Sequence, residues 1–99
     1  MSVIVIIKVP GDTAKARATF DSNGDVMKGI SQRGKAAGAH HHKFGEGDGE
    51  IIVVDEWESR EAFEGFFGDP EIAAFMAEAG ASGQPSVEFY EVIETADAF

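Results

Sequence analysis

A chain of 99 residues with 43% apolar side chains has the length and composition of one globular domain, residues 1–99, and not of a disordered segment. Its formal charge of −10 speaks against nucleic acid and anionic membrane as partners, which both demand cationic surface, and the absence of cysteine removes disulfide and thiolate chemistry. The apolar run from Val3 to Val9 is interrupted by Lys8 and stopped by Pro10, too short for a membrane span or a signal peptide, so the expected location is cytoplasmic.

Val3 to Val9 reads as a first strand with apolar residues on both faces: Val3, Val5, Ile7 and Val9 on one, Ile4 and Ile6 on the other. Pro10-Gly11 ends it, and Asp12 caps a helix from Thr13 through the helix-favouring run Ala14 to Ala18, with Phe20 as a core contact. Asn23-Gly24 interrupts that helix. A second segment from Asp25 carries Val26, Met27, Ile30, Gly34 and Ala37 on one stripe and ends at Gly38.

Ala39 to Phe44 is the second strand, and Gly45 to Gly49 a glycine-rich turn containing an Asp-Gly pair. Glu50 to Trp57 is the third strand, β-branched from Ile51 to Val54. Ser59 caps a helix over Arg60 to Phe67, whose apolar edge is Phe63, Phe66 and Phe67. Asp69-Pro70 then starts a shorter helix with a stripe of Ile72, Phe75, Met76 and Ala79, closed by Gly80. Ser86 to Ile93 alternates as the last strand, leaving a polar tail that ends in Phe99.

This order predicts an α+β fold, the ferredoxin-like split βαββαβ arrangement: a four-stranded antiparallel sheet with its helices on one face. The first and third strands are apolar on both faces, whereas helices cover only one. The uncovered face would expose roughly several hundred Å² of apolar surface, at the limit for a soluble monomer. Packing two such faces together gives a homodimeric α/β barrel.

The segment Asp55-Glu56-Trp57-Glu58-Ser59-Arg60-Glu61-Ala62-Phe63, followed by the Asp69-Pro70-Glu71 break, resembles the strand-to-helix junction of the dimeric α/β-barrel superfamily, in particular its antibiotic-biosynthesis monooxygenase-type domains. The resemblance implies a homodimer with an internal pocket in each half of the barrel. In enzymatic members it implies oxygenation of aromatic polyketides without a cofactor, or haem degradation. Catalytic and haem-binding members often carry histidines where this chain has Phe66 and Glu71. The haem ligand is therefore missing, and no cofactor is expected. Trp57 is the pocket residue the resemblance carries over.

The three histidines are adjacent, so His40, His42 and Phe44 share one face of the second strand and His41 and Lys43 the other. If Asp48-Gly49 forms a two-residue turn, the register sets His42 opposite Asp55 and His40 opposite Trp57. Opposed Cβ atoms lie about 5 Å apart, close enough for a hydrogen bond or a shared metal. A His42–Asp55 pair is an oriented general base, and His40, His42 and Asp55 together are the donor set a metal would use, though no metal is expected. The same histidines are equally readable as half-buried surface groups, and a one-residue slip would move His42 to the face of Ile52 and Val54.

The candidate catalytic residues are therefore His42, Asp55 and Trp57. The candidate substrate contacts are His40, Phe44, Val53, Phe66 and Tyr90, in a dry barrel lined by Ile51, Val53, Trp57 and Phe66. Two function classes remain open: a cofactor-independent monooxygenase acting on a small apolar or aromatic substrate in an intra-barrel pocket, and a non-catalytic homodimer that binds a small molecule or a metal.

Overall fold

The computed structural model describes residues 2–99. The elements run β1 (Val3–Pro10), α1 (Thr13–Ser22), α2 (Gly24–Ala37), β2 (Ala39–Gly47), β3 (Glu50–Trp57), α3 (Arg60–Phe67), α4 (Pro70–Glu78) and β4 (Ser86–Glu91). The strands form one antiparallel sheet in the order β2-β3-β1-β4, the ferredoxin-like arrangement expected from the element order. The doubly apolar strands β1 and β3 are the central ones, as two-sided burial requires.

Local chemistry accounts for most boundaries. Asp12 Oδ1 accepts from the Lys15 amide at 3.0 Å, Ser59 Oγ from Ala62 at 3.1 Å and Asp69 Oδ1 from Glu71 at 2.9 Å, so all three predicted caps form. Gly38 ends α2 at φ 123°, and its carbonyl accepts from the Glu58 amide at 2.9 Å, which ties the helix end to the start of α3. The hairpin turns on Asp48-Gly49, with positive φ only at Gly49 (70°). β2 continues past Phe44 to Gly47, because the ladder pairs right up to that turn. β4 stops at Glu91, short of Ile93, because Glu91 pairs with Val3, the first residue of β1.

The helices lie on the face that carries Val5, Ile7, Val53 and Trp57. These residues form the buried cluster together with Phe63 of α3, and Phe66, Phe67 and Phe89 pack against it. This corrects the expectation that the Val53–Asp55–Trp57 face lines the barrel interior. Both faces of β3 are apolar, and the phenylalanines of α3 close over this one. On the opposite face, Ile4, Ile6 and Ile52 are half-buried, and Val54 and Tyr90 are 42% and 49% exposed. Val26, predicted on the packed stripe of α2, is 46% exposed. Among the described residues no helix is long and apolar enough to cross a membrane.

Candidate functional site

β2 is an edge strand, and its pairing with β3 sets His42 opposite Asp55 and Phe44 opposite Val53, the predicted register. These side chains therefore face the helices. Asp55 is 7% exposed, and a carboxylate buried this far needs donors on both oxygens. It has them: Trp57 Nε1–H donates to Oδ2 at 3.0 Å, and His42 Nδ1 lies 2.7 Å from Oδ1. An ionised carboxylate only accepts, so His42 donates through Nδ1, and in the neutral ring the lone pair is on Nε2.

Trp57, 2% exposed, is held in turn by Phe63 and Phe66, with ring centroids 5.6 and 5.4 Å away. Phe44 abuts the His42 ring edge-on at 4.9 Å and touches Phe20 of α1 at 4.6 Å. Core packing thus fixes Trp57, Trp57 and His42 fix Asp55, and Asp55 fixes the imidazole.

Between the sheet and its own helices lies a cavity of about 440 Å³. His42, Asp55 and Trp57 are on its wall, with Phe44, Val53 and Phe66 beside them. The volume suits a small polycyclic molecule, and the wall is mostly apolar with a few convergent polar groups, the usual make-up of a ligand site. The pocket therefore belongs to a single chain and lies under the helices, not inside the barrel between two sheets. Helical residues that sequence reasoning placed in a filled core, among them Phe20, Met27, Ile30 and Phe75, line it. A helical stripe has the same spacing whether it packs on a sheet or roofs a void, so the sequence carries no signal for the difference.

Two predicted contacts fall elsewhere. A bulge between Ala39 and His41 sets Ala39, not His40, opposite Trp57, and the His40 ring reaches Glu56 Oε2 at 3.4 Å. His40 still borders the cavity, but it pairs with a different acid from His42. The set His40, His42 and Asp55 consequently does not converge, and among the described residues no three His, Asp or Glu side chains are placed to hold a metal ion. Tyr90 is on the far face of the sheet, donating to Glu88 Oε2 at 2.9 Å, and does not border the cavity. That hydrogen bond, with the carboxylate's charge beside it, raises the phenol pKa above its ordinary value.

No protein-family profile matches the chain, and no curated protein matches it either. Solved structures do. A Streptomyces coelicolor monooxygenase from the gene ActVA-Orf6, in complex with nanaomycin D, superposes with a TM-score of 0.70 at 20% identity, over 99% of this chain and 93% of that one. SnoaB, a cofactor-independent oxygenase from Streptomyces nogalater, gives 0.60 at 15% identity over 98% of both chains. A dimeric ferredoxin-like protein from an uncultured marine organism gives 0.66 at 14%, over 96% of this chain and 97% of that one. The fold is that of the dimeric ferredoxin-like proteins. Within that class it is the fold of the antibiotic-biosynthesis monooxygenase type, which residues 55–63 resemble in sequence.

Proposed function

We propose that the protein is a cofactor-independent monooxygenase that binds a small aromatic substrate beneath its helices and works as a homodimer. The observation that carries this reading is the hydrogen-bonded chain Trp57–Asp55–His42 on the wall of a 440 Å³ apolar cavity. A Trp–Asp–His relay with a buried acid and a half-exposed imidazole, one ring nitrogen of which makes no hydrogen bond, is more than a structural ion pair needs, and it matches what a general base requires. The fold shared with two oxygenases, one of them cofactor-independent, supports the same reading.

In this mechanism His42 Nε2 removes a proton from an acidic phenol or from the CH₂ of an anthrone-like ketone. Asp55 stabilises the resulting imidazolium, and Trp57 keeps the carboxylate oriented. The electron-rich anion passes one electron to O₂, and the substrate radical and superoxide combine to form a C–O bond. The imidazolium returns its proton to the peroxide. At a CH₂ carbon, loss of water from the hydroperoxide leaves a carbonyl, so one oxygen atom of O₂ enters the product and the other leaves as water. Trp57, Phe63 and Phe66 give the anion and the peroxide an apolar surrounding on the inner side, while His42 stands at the exposed rim. The exposed apolar residues Val54 and Tyr90, with Ile4, Ile6 and Ile52, support pairing with a second copy, as does the dimeric neighbour.

Oxygen uptake by the purified protein with anthrone and with a panel of dihydroxynaphthalenes tests the reading. Uptake should fall about 10²–10⁴-fold in His42→Ala, the usual contribution of a general base. Uptake unchanged in that variant would exclude His42 as the base. No uptake across the panel would leave a binding role for the cavity.

A further inference from the structure

The geometry points to a carboxylate-bearing substrate, its aromatic body under the helices and its anionic group held by Lys35 at the cavity mouth. This rests on the cavity being the substrate site, and it names what that site selects.

The chain is strongly acidic, and four of its eight lysines and arginines are paired with acids. Lys8 meets Glu88, Arg17 meets Glu46, Arg33 meets Glu71 and Arg60 meets Glu64. Among the described residues Lys28 and Lys35 form no ion pair, and both border a shallow groove where His42 and Phe44 emerge from the main cavity. Lys28, Ser31, Gln32 and Lys35 follow a spacing of three and four along α2, so they form one polar stripe along the groove. Lys35 borders both the groove and the main cavity, whereas Lys28 borders only the groove.

Residues seven apart on a helix are about 10 Å apart along its axis, too far for one carboxylate to bridge both lysines. Lys35 is therefore the binding group, and Lys28 adds only field. The distribution of acids agrees. Of the carboxylates on the cavity wall, Asp55 has both oxygens occupied. Asp12 sits beyond Pro10, at the end of the sheet where Pro10 pairs with Glu50. Lys35 stands at the opposite end, one turn before Ala39, which pairs with Trp57. Glu58 lies against Gly38 near that end but does not border the cavity, so among the wall residues an anionic group is repelled at one end and attracted at the other, which would bring a bound aromatic acid past His42 in one orientation.

Fluorescence titration with anthracene-9-carboxylate and with its neutral amide, of nearly equal shape, tests this. The acid should bind about fivefold more tightly than the amide, the size of one solvent-accessible ion pair, and the preference should shrink in high salt. Lys35→Gln should abolish the preference, Lys28→Gln should reduce it less, and Lys15→Gln, on α1 away from the groove, should leave it intact. Equal binding of acid and amide by the wild type would overturn the proposal while leaving the cavity reading standing, as would a preference that survives Lys35→Gln. Binding of neither probe would overturn both.

Discussion

Asp55→Asn separates the electrical role of the relay from its structural one. The amide is nearly isosteric with the carboxylate but has one acceptor and one donor end. Trp57 Nε1–H, 3.0 Å from Oδ2, only donates, so the amide oxygen must turn to it. The amide NH₂ then faces His42 Nδ1, across what is now a 2.7 Å contact. Nδ1 can meet an N–H only by giving up its own proton, which moves to Nε2. The free lone pair that served as base is thereby lost without moving the ring.

Two charge-assisted bonds become neutral ones, a loss of about 1 kcal/mol each, partly offset because no charge is buried any longer. The net destabilisation should be about 0–2 kcal/mol in urea unfolding with an unchanged m-value. Oxygen uptake should fall about as far as in His42→Ala. Long-range nitrogen–proton NMR of the imidazole should show the proton on Nδ1 in the wild type and on Nε2 in the variant. An Nδ1-protonated ring in Asp55→Asn, or oxygen uptake at the wild-type rate, would refute the relay.

Val54→Asp places a charge in the middle of the uncovered apolar face; light scattering should report twice the mass of one chain for the wild type and a single chain for the variant. Phe63→Ala removes the ring that packs on Trp57, Phe67 and Phe89 and should cost about 3–5 kcal/mol in chemical denaturation, with any oxygen uptake falling as Trp57 loosens. The Arg17 guanidinium donates to Glu46 at 2.6 Å and holds its carboxyl below the ordinary glutamate range. The stability this pair adds is therefore present above the ordinary glutamate pKa and is lost as pH falls through the lowered one. In Arg17→Gln the Glu46 titration, followed by carboxyl NMR, should move up and that pH dependence should shrink to what the Thr13 hydrogen bond leaves.

Much of the fold is legible in local chemistry. The caps Asp12, Ser59 and Asp69, the break at Asn23-Gly24 and the Asp-Gly turn each act within a few residues, so they mark element boundaries whatever lies around them. The turn also sets the register, and the register alone opposes His42 to Asp55. Tertiary structure decided the rest. Alternation along β3 divides its residues into two sets, but both sets are apolar, and only the docking of Phe63 and Phe66 onto Trp57, with Phe67 stacked on Phe63, selects the face the helices cover. The bulge between Ala39 and His41 shifts His40 from Trp57 to Glu56, though nothing in the run of histidines marks it. Tyr90 alternates as a pocket residue would, yet it belongs to the far face of an edge strand. The cavity is the space left between the sheet and helices that also touch it, as Phe20 of α1 does at Phe44 and Phe63 of α3 does at Trp57. How far a helix stands from a sheet is set by packing among all of them, and no periodicity within one segment encodes it.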